Sequence, residues 1–299
     1  MKKYLFKIFL YLSLLFLGIA LFKANYLVIP KIVSTNSVII SILLLVAGFV
    51  VNTIAWSVIL IGNKMKIRLI DGITSIGLSI FGKYIPGKLW VILGRSEYVA
   101  GKYGFSRKKV GIISLHAQLI SIWTGLILGS IGLLFIDAPS AYGWMVLALF
   151  VLLSLIIFTN FFNGLAENFI GLFKKQIEIP RVSFISVITV IPWYFVNWLL
   201  WSLSFYFLVS ALYGETIPLI SGLGFALAGS LGIVAVIAPG GIGIREGILT
   251  FYLTFLGLGI EEATTISIVS RLWFLCGEIF IFLTGLALRT IGVSKKGKV

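Results

Sequence analysis

The chain alternates long apolar segments with short polar loops. Six segments have the length of about 20 residues that a helix needs to cross a bilayer. These predicted spans are Tyr4–Phe22, Ser37–Gly62, Val110–Ile136, Tyr142–Phe162, Phe184–Leu212 and Thr264–Arg289. The pattern predicts an all-α polytopic membrane protein with about six full spans.

Two further apolar stretches are interrupted by proline and glycine. Leu69–Gly94 contains GKYIPGK near its centre, and neither half is long enough to cross alone. Ala238–Gly247 (APGGIGIREG) follows an apolar run long enough to cross and precedes one that reaches only part-way back. A broken helix within a membrane must be covered by protein or line a cavity. We therefore predict two re-entrant, broken-helix hairpins.

The order of these elements repeats along the chain. Residues 1–136 give span, span, hairpin, span, and residues 142–290 give the same order starting from the opposite side of the membrane. We therefore predict one transmembrane domain over residues 1–299, built from two inverted repeats and ending in a basic cytoplasmic tail at 291–299. Inverted repeats with helices broken at corresponding positions are typical of transporters, whose substrate site lies at the breaks.

Composition and charge support this class. Hydrophobic residues make up 60% of the chain and charged residues 11%, against about 25% charged in soluble domains. Of the 24 lysines and arginines, two fall on the face opposite the termini, four fall within hairpins or spans, and the remaining 18 share the face of both termini. This asymmetry predicts cytoplasmic termini in the cell inner (plasma) membrane. Because the cations flank membrane segments, we predict no nucleic-acid partner despite the net charge of +14.

The sequence lacks the residues that several kinds of site require. One cysteine, Cys276, and one histidine, His116, exclude a disulfide framework, a thiolate metal site and a Ser-His-acid set. Cys276 is expected to be a small buried hydrophobic residue. The chain has no P-loop, and Gly241-x-Gly243 lacks the third glycine of a dinucleotide site. We therefore predict no cofactor and no metal.

Six ionisable residues fall within the apolar regions and sum to a formal charge of +2. They are Lys83, Lys88, Arg245, Glu246, Arg271 and Glu278. An isolated charge at the centre of a membrane helix costs about 2.5–3.5 kcal/mol. Two acids neutralise at most two of the four cations, so an anionic ligand such as a lipid phosphate suits the remainder. Glycine amides beside an arginine form a natural phosphate cradle.

Each of these residues also has a structural interpretation. Lys83 and Lys88 can extend to the cytoplasmic interface, as lysine does readily. Arg245 and Glu246 can form an ion pair that fixes the second hairpin. Arg271 and Glu278, on one helix face, can serve interhelical packing. Tryptophans such as Trp193, Trp198 and Trp201 are expected to form an interface belt.

The motifs resemble those of a known family. KYIPGKLW…GR in the first half, with ETIPL…PGGIGIREG and Arg271 in the second, resemble the lysylphosphatidylglycerol synthase transmembrane-region family, which includes the flippase half of the bacterial multiple peptide resistance factor. The resemblance implies movement of anionic or glycosylated lipids between leaflets, beside glycosyltransferases in some relatives. The full-length synthases carry a cytosolic aminoacyl-transferase domain that this sequence lacks, so lysyl transfer is not expected.

The sequence therefore predicts a flippase or transporter of an anionic or phosphate-linked (glyco)lipid in the bacterial envelope, the ligand being a phospholipid or a polyprenyl-phosphate lipid. One alternative is a membrane transferase that uses a lipid-linked donor with Glu246 as base. Another is a non-catalytic partner of a glycosyltransferase or synthase. The candidate substrate-binding residues are Lys83, Pro86, Gly87, Lys88, Arg95, Pro239, Gly240, Gly241, Gly243, Arg245, Glu246, Arg271 and Glu278.

Overall fold

A computed structural model describes residues 31–85, 89–136, 139–159, 180–235 and 241–294, together with Tyr11 and Leu15. The described chain is helical, without β-strands. Its α-helices are α1 (Thr35–Gly62), α2 (Leu69–Ser79), α3 (Leu89–Tyr103), α4 (Arg107–Leu133), α5 (Ser140–Phe158), α6 (Phe184–Tyr213), α7 (Leu223–Val234), α8 (Ile244–Phe255) and α9 (Ile260–Ser294).

Five of the described helices, α1, α4, α5, α6 and α9, are long and apolar enough to cross a membrane. They coincide with the predicted spans to within a few residues at either end. The predicted first span, Tyr4–Phe22, lies outside the described residues except for Tyr11 and Leu15. The predicted class, an all-α polytopic membrane protein, is confirmed.

Four shorter helices form two packed pairs, which we name hairpin one (residues 69–103) and hairpin two (residues 219–255). Helices α2, α3, α7 and α8 contain 11, 15, 12 and 12 residues. At about 1.5 Å per residue none of them exceeds about 23 Å. Because the hydrocarbon core is about 30 Å thick, none of these helices crosses it alone.

The first hairpin breaks next to Pro86. Helix α2 continues into a 3-10 turn at Ile80–Tyr84, and Ile85 is then extended, with φ −74° and ψ 132°. The residue before a proline is driven out of the helical region by a clash with the proline ring, so the helix ends there. Helix α3 resumes at Leu89 and continues to Tyr103, beyond the predicted end at Gly94.

The second hairpin breaks at glycines. Helix α7 ends at Val234, and α8 begins after Gly243, whose φ of 82° lies in the left-handed region. Gly241 has a φ of 73°, and a Cβ atom there would lie 2.9 Å from the carbonyl oxygen of Gly232. Any other residue at Gly241 would therefore be strained and would push α7 away from the break.

Helices α1 and α6 pack antiparallel against each other. Ser41 and Ser204 each donate a hydroxyl hydrogen bond to the other's carbonyl oxygen, and Asn63 Nδ2 donates to Ser186 Oγ at 2.7 Å. An early residue of α1 thus meets a late residue of α6, and the reverse holds at the other end. Buried polar contacts of this kind fix the register of two apolar helices.

The contacts of the four short helices with α4 and α9 come in matching pairs. Helix α2 packs on α9 as α7 packs on α4, and α3 packs on α4 as α8 packs on α9. The two cross-contacts are close: a Cβ atom on Gly77 would lie 2.4 Å from Ile281 O, and one on Gly129 would lie 2.6 Å from Leu227 Cα. Each hairpin thus packs one of its helices on α4 and the other on α9. The repeat boundaries at 1–136 and 142–290 stay a prediction from sequence.

Candidate functional site

Hairpins one and two meet at a cavity of about 180 Å³ inside the helical bundle. Helices α1, α4, α6 and α9 complete its wall. Four cations line it: Lys83 and Arg95 from hairpin one, Arg245 from hairpin two, and Arg271 from α9. The structure thus brings four of the predicted site residues together at one cavity.

Lys83 is held by the last helix. Its Nζ forms an ion pair with Glu278, while Tyr84 Oη donates to the other carboxylate oxygen at 2.9 Å. Lys83 Nζ also lies 5.0 Å from the ring centroid of Phe274. Because its partner is a fully buried residue of α9, Lys83 reaches into the bundle. This contact argues against the alternative in which Lys83 extends to the interface.

Glu246 joins hairpin two to the same helix. One carboxylate oxygen accepts the Gly243 N–H at 2.7 Å and so caps the start of α8. The other lies 3.7 Å from Arg271 Nη1. An acid in the first turn of a helix is stabilised by the helix dipole. The ion pair therefore links Glu246 to Arg271, not to Arg245 as the structural alternative supposed.

Arg245 is buried, with 5% of its surface exposed. Its Nη2 donates to the carbonyl and hydroxyl oxygens of Ser270, both at 3.2 Å. The guanidinium lies 4.7 Å from the ring centroid of Phe225 and 5.1 Å from that of Phe274, within range of cation–π attraction. Its Nε is buried and has no hydrogen-bond partner among the described residues. Arg245 thus lines the cavity and retains one buried donor without a partner among the described residues.

Arg95 lies deeper than the sequence indicates. We counted it among the cations of the cytoplasmic face, but the structure buries it to 4% exposure in the middle of α3. Its Nε and Nη2 donate to the hydroxyl and carbonyl oxygens of Ser114 on α4. The guanidinium lies 4.6 Å from the ring centroid of Trp56. The internal cationic set therefore includes Arg95.

Among the described residues, the charges at the cavity do not balance. Its four cations are accompanied by two carboxylates, those of Glu246 and Glu278, each of which is engaged with one cation. The formal excess among these six side chains is +2. Unpaired buried charge is strongly unfavourable unless hydrogen bonds or a ligand compensate it. The site is therefore suited to an anion.

Five predicted site residues lie outside the described residues: Pro86, Gly87, Lys88, Pro239 and Gly240. Gly241 and Gly243 lie at the break of hairpin two, as expected. The expected cradle of glycine amides is altered, however, because the Gly243 N–H already donates to Glu246. The positively charged groups that the structure places at the cavity are the side chains of Lys83, Arg95, Arg245 and Arg271.

Other lining residues were not anticipated. Trp198 and Trp201 were expected in an interface belt, but both are buried, and their indole N–H groups donate to Ser121 O at 2.6 Å and Leu45 O at 3.3 Å. Asn52, Gln118 and Ser121 add polar groups to the same wall. Cys276, expected to be buried, is exposed on α9. Hydropathy alone does not distinguish a tryptophan that faces lipid from one that faces the core.

Comparison with known proteins gives one result at the level of a family. The family model described as "Lysylphosphatidylglycerol synthase TM region" matches residues 5–285. Neither the comparison with curated proteins nor the comparison with solved structures found a match.

Proposed function

This chain belongs to the lysylphosphatidylglycerol synthase transmembrane-region family, and from that membership and the charge of its cavity we propose that it translocates a phosphate-bearing lipid between the leaflets of its membrane. The observation that carries the proposal is the formal excess of +2 among six described side chains, five of them buried and Lys83 partly exposed, at the meeting point of two broken helices. A lipid phosphate that binds there compensates part of this positive charge, whereas water, being neutral, does not.

The residues at the cavity suggest separate roles. The head group enters between the hairpins, and the Arg245 guanidinium at the cavity wall donates to the phosphate. Arg271 and Lys83 complete the cationic wall, while Glu246 and Glu278 hold those two cations in place. The hydrocarbon tails remain in the bilayer. The matching contacts of the two hairpins provide two similar packed units that can move relative to each other.

The ligand in this proposal is a membrane phospholipid or a polyprenyl-phosphate lipid, and the membrane is the cell inner (plasma) membrane with both termini in the cytoplasm. A glycosyltransferase or synthase that makes or uses the lipid is the partner we expect. Nucleic acid has no role in it. The positive-inside distribution of lysine and arginine supports the orientation.

The test is translocation by the purified protein in vesicles. Fluorescent phosphatidylglycerol and polyprenyl phosphate are placed in one leaflet, and their loss to a membrane-impermeant quencher is followed. We expect Arg245→Ala to slow translocation by at least about tenfold, since hydrogen bonds between charged groups contribute about 1.5–3 kcal/mol. Arg107→Ala is the matched control, because Arg107 lies at the protein surface and is largely exposed.

Translocation that is equal in wild type and Arg245→Ala would contradict the proposed site. The two other hypotheses give different results in the same vesicles. A transferase would release a modified lipid, detectable by mass spectrometry of the products. A non-catalytic partner would move no lipid alone and would co-purify with an enzyme. In the structure, Glu246 caps α8 and contacts Arg271, which does not favour its action as a general base.

A further inference from the structure

The cations of the cavity are not spread evenly over its wall. Lys83 Nζ and the guanidinium of Arg245 lie 5.0 and 5.1 Å from the ring centroid of Phe274. Lys83 Nζ and the guanidinium of Arg271 lie 5.2 and 5.5 Å from that of Tyr84. Three of the four cations are thus gathered around two aromatic rings. We name Lys83, Arg245 and Arg271 the cationic end of the cavity.

Neutral polar side chains form another part of the wall. Asn52 of α1 and Gln118 of α4 line the cavity, and both are partly exposed. Asn52 lies four residues before Trp56, whose ring centroid is 4.6 Å from the Arg95 guanidinium. Gln118 lies four residues after Ser114, which accepts both hydrogen bonds of Arg95. Residues four apart are neighbours on one face of a helix. Both amides therefore lie near Arg95, and we name Asn52 and Gln118 the amide end of the cavity.

The amide end has hydrogen-bonding capacity that the protein does not use. Among the described residues, neither the Asn52 nor the Gln118 side chain has a hydrogen-bond partner. Each side-chain amide offers two donor hydrogens and one acceptor oxygen. A hydroxyl group both donates and accepts, so it can pair with either part of an amide. The amide end is therefore suited to a ligand that carries hydroxyl groups.

A positively charged group is poorly suited to the amide end. An ammonium group there would lie near the positive charge of Arg95. No carboxylate is among the described residues that line the cavity. Glu278 and Glu246 contact cations of the cationic end instead. Because a buried charge without a counter-charge is strongly unfavourable, the amide end favours an uncharged group.

We propose that Asn52 and Gln118 bind the hydroxyl groups of an uncharged polyol head group while the cationic end holds the phosphate of the same lipid. This inference rests on the proposed function and names its substrate class: a phosphodiester lipid whose head group is a glycerol or a sugar. Because the two ends belong to one cavity of about 180 Å³, a phosphate at one end places the rest of the head group at the other.

The consequence is a division of labour between affinity and specificity. Any phosphodiester lipid satisfies the cationic end, so the cations do not distinguish one head group from another. The amide end does, because a lipid without hydroxyl groups leaves the Asn52 and Gln118 amides without a ligand partner. A site built to form hydrogen bonds with a ligand discriminates against an analogue that lacks the matching groups. Asn52 and Gln118 therefore determine which lipid is preferred.

The experiment is calorimetric titration of the purified protein with dihexanoyl phosphatidylglycerol and with dihexanoyl phosphatidylpropanol. The two lipids have the same charge and differ only in two hydroxyl groups. We expect wild type to bind phosphatidylglycerol about tenfold more tightly, the size of effect that two hydrogen bonds give. The double variant Asn52→Leu, Gln118→Leu should bind both lipids equally and keep its affinity for phosphatidylpropanol. Asn36→Leu, which removes an exposed amide from the start of α1, should keep the tenfold preference.

Two further lipids sharpen the assignment. Dihexanoyl phosphatidylethanolamine, which has an ammonium group in place of the hydroxyls, should bind at least about tenfold more weakly than phosphatidylglycerol, since it brings no net negative charge. Dihexanoyl phosphatidylinositol separates the two sources of hydroxyl groups. Tighter binding than phosphatidylglycerol indicates a ring polyol such as a sugar, and weaker binding indicates a glycerol.

Equal affinity of wild type for phosphatidylglycerol and phosphatidylpropanol would overturn the inference and leave the proposed function standing. So would a preference that persists in the double variant, or phosphatidylethanolamine binding as tight as that of phosphatidylglycerol. A wild-type protein that binds none of these lipids would instead contradict the proposed function. If the double variant does not fold, Gln118→Met, which keeps the length of the side chain, replaces it. That variant should lower the preference from about tenfold to about threefold, and an unchanged preference would overturn the inference.

Discussion

Hairpins one and two each place one arginine against the helix that follows. Arg95 of α3 contacts Ser114 of α4, and Arg245 of α8 contacts Ser270 of α9. In both cases the serine offers its hydroxyl and its carbonyl oxygen. Both guanidinium groups are buried and lie over aromatic rings. The two hairpins therefore form the same local arrangement of arginine and serine.

The two arrangements differ in which guanidinium nitrogens form hydrogen bonds. Arg95 donates through two different nitrogens, Nε and Nη2, which fit the two serine oxygens. Arg245 makes both bonds from Nη2, and its Nε has no hydrogen-bond partner among the described residues. An unmade hydrogen bond from a buried charged group costs several kcal/mol relative to a made one. We therefore expect Arg95 to contribute more to the packing of hairpin one, and Arg245 to contribute more to ligand binding.

The largest predicted effect is the loss of lipid binding when Arg245, the arginine of hairpin two, is substituted. We expect Arg245→Gln to weaken binding of an anionic lipid by about 100-fold, which corresponds to about 2.7 kcal/mol. Native mass spectrometry of the gently purified protein, with lipid analysis, measures what is retained. Arg95→Gln should instead lower thermal stability more than it lowers lipid retention, because its bonds lie within the protein. Equal lipid loss in both variants would remove the distinction between the two hairpins.

The next effect tests whether the two hairpins pack equivalently on the helices α9 and α4. Gly77→Ala and Gly129→Ala should each reduce the free energy of unfolding by about 2 kcal/mol, since the new methyl group meets backbone atoms at 2.4 and 2.6 Å that cannot move aside. Gly111→Ala is the control, because nothing lies within 4 Å of its Cβ position. Thermal unfolding in detergent measures all three. If only one of the two variants lost stability, the matching contacts of the two hairpins would contribute unequally to the free energy of unfolding.

Much of this architecture could be predicted because the bilayer limits what a chain can do. An apolar segment of sufficient length has to be a helix, and Pro86 and the glycines after Val234 have to end one. The same reasoning identified Lys83, Arg245 and Arg271, because a charge within an apolar segment needs a reason to be there. Length, hydropathy and breaks are local properties, and they were predicted.

The partners of these residues could not be predicted, because they depend on direction around a helix. Arg245 and Glu246 are neighbours in sequence, but consecutive residues on a helix point about 100° apart and do not face each other. Glu246 therefore meets Arg271, and Arg245 meets Ser270. Arg95 was misplaced for a related reason: α3 continues through polar residues to Tyr103, so the arginine lies mid-helix.

The smallest effect concerns the ends of the hairpins away from the cavity. Hairpin one joins its two legs there through Asp71, which is contacted by Lys102, Tyr103 and Arg68. Hairpin two uses a neutral bond, from Tyr252 Oη to Ile220 O at 2.8 Å. Burial raises the pKa of Asp71, but hydrogen bonds from these three residues lower it more, so the pKa lies below its ordinary value. Only hairpin one should therefore respond to pH at this end.

The direction of the pH dependence of stability follows from the lowered pKa of Asp71. A carboxylate whose pKa is lower in the folded state stabilises that state above its unfolded pKa, near about 3.9, and loses the effect as pH falls through the folded pKa. We expect Asp71→Asn to reduce stability by about 1 kcal/mol at neutral pH, a modest value because Arg68 and Lys102 are partly exposed. In thermal unfolding, that difference should shrink below about pH 4. Tyr252→Phe should show a similar loss that does not change with pH. If both variants kept a constant difference from wild type down to low pH, the ionised Asp71 would not be what joins the legs of hairpin one.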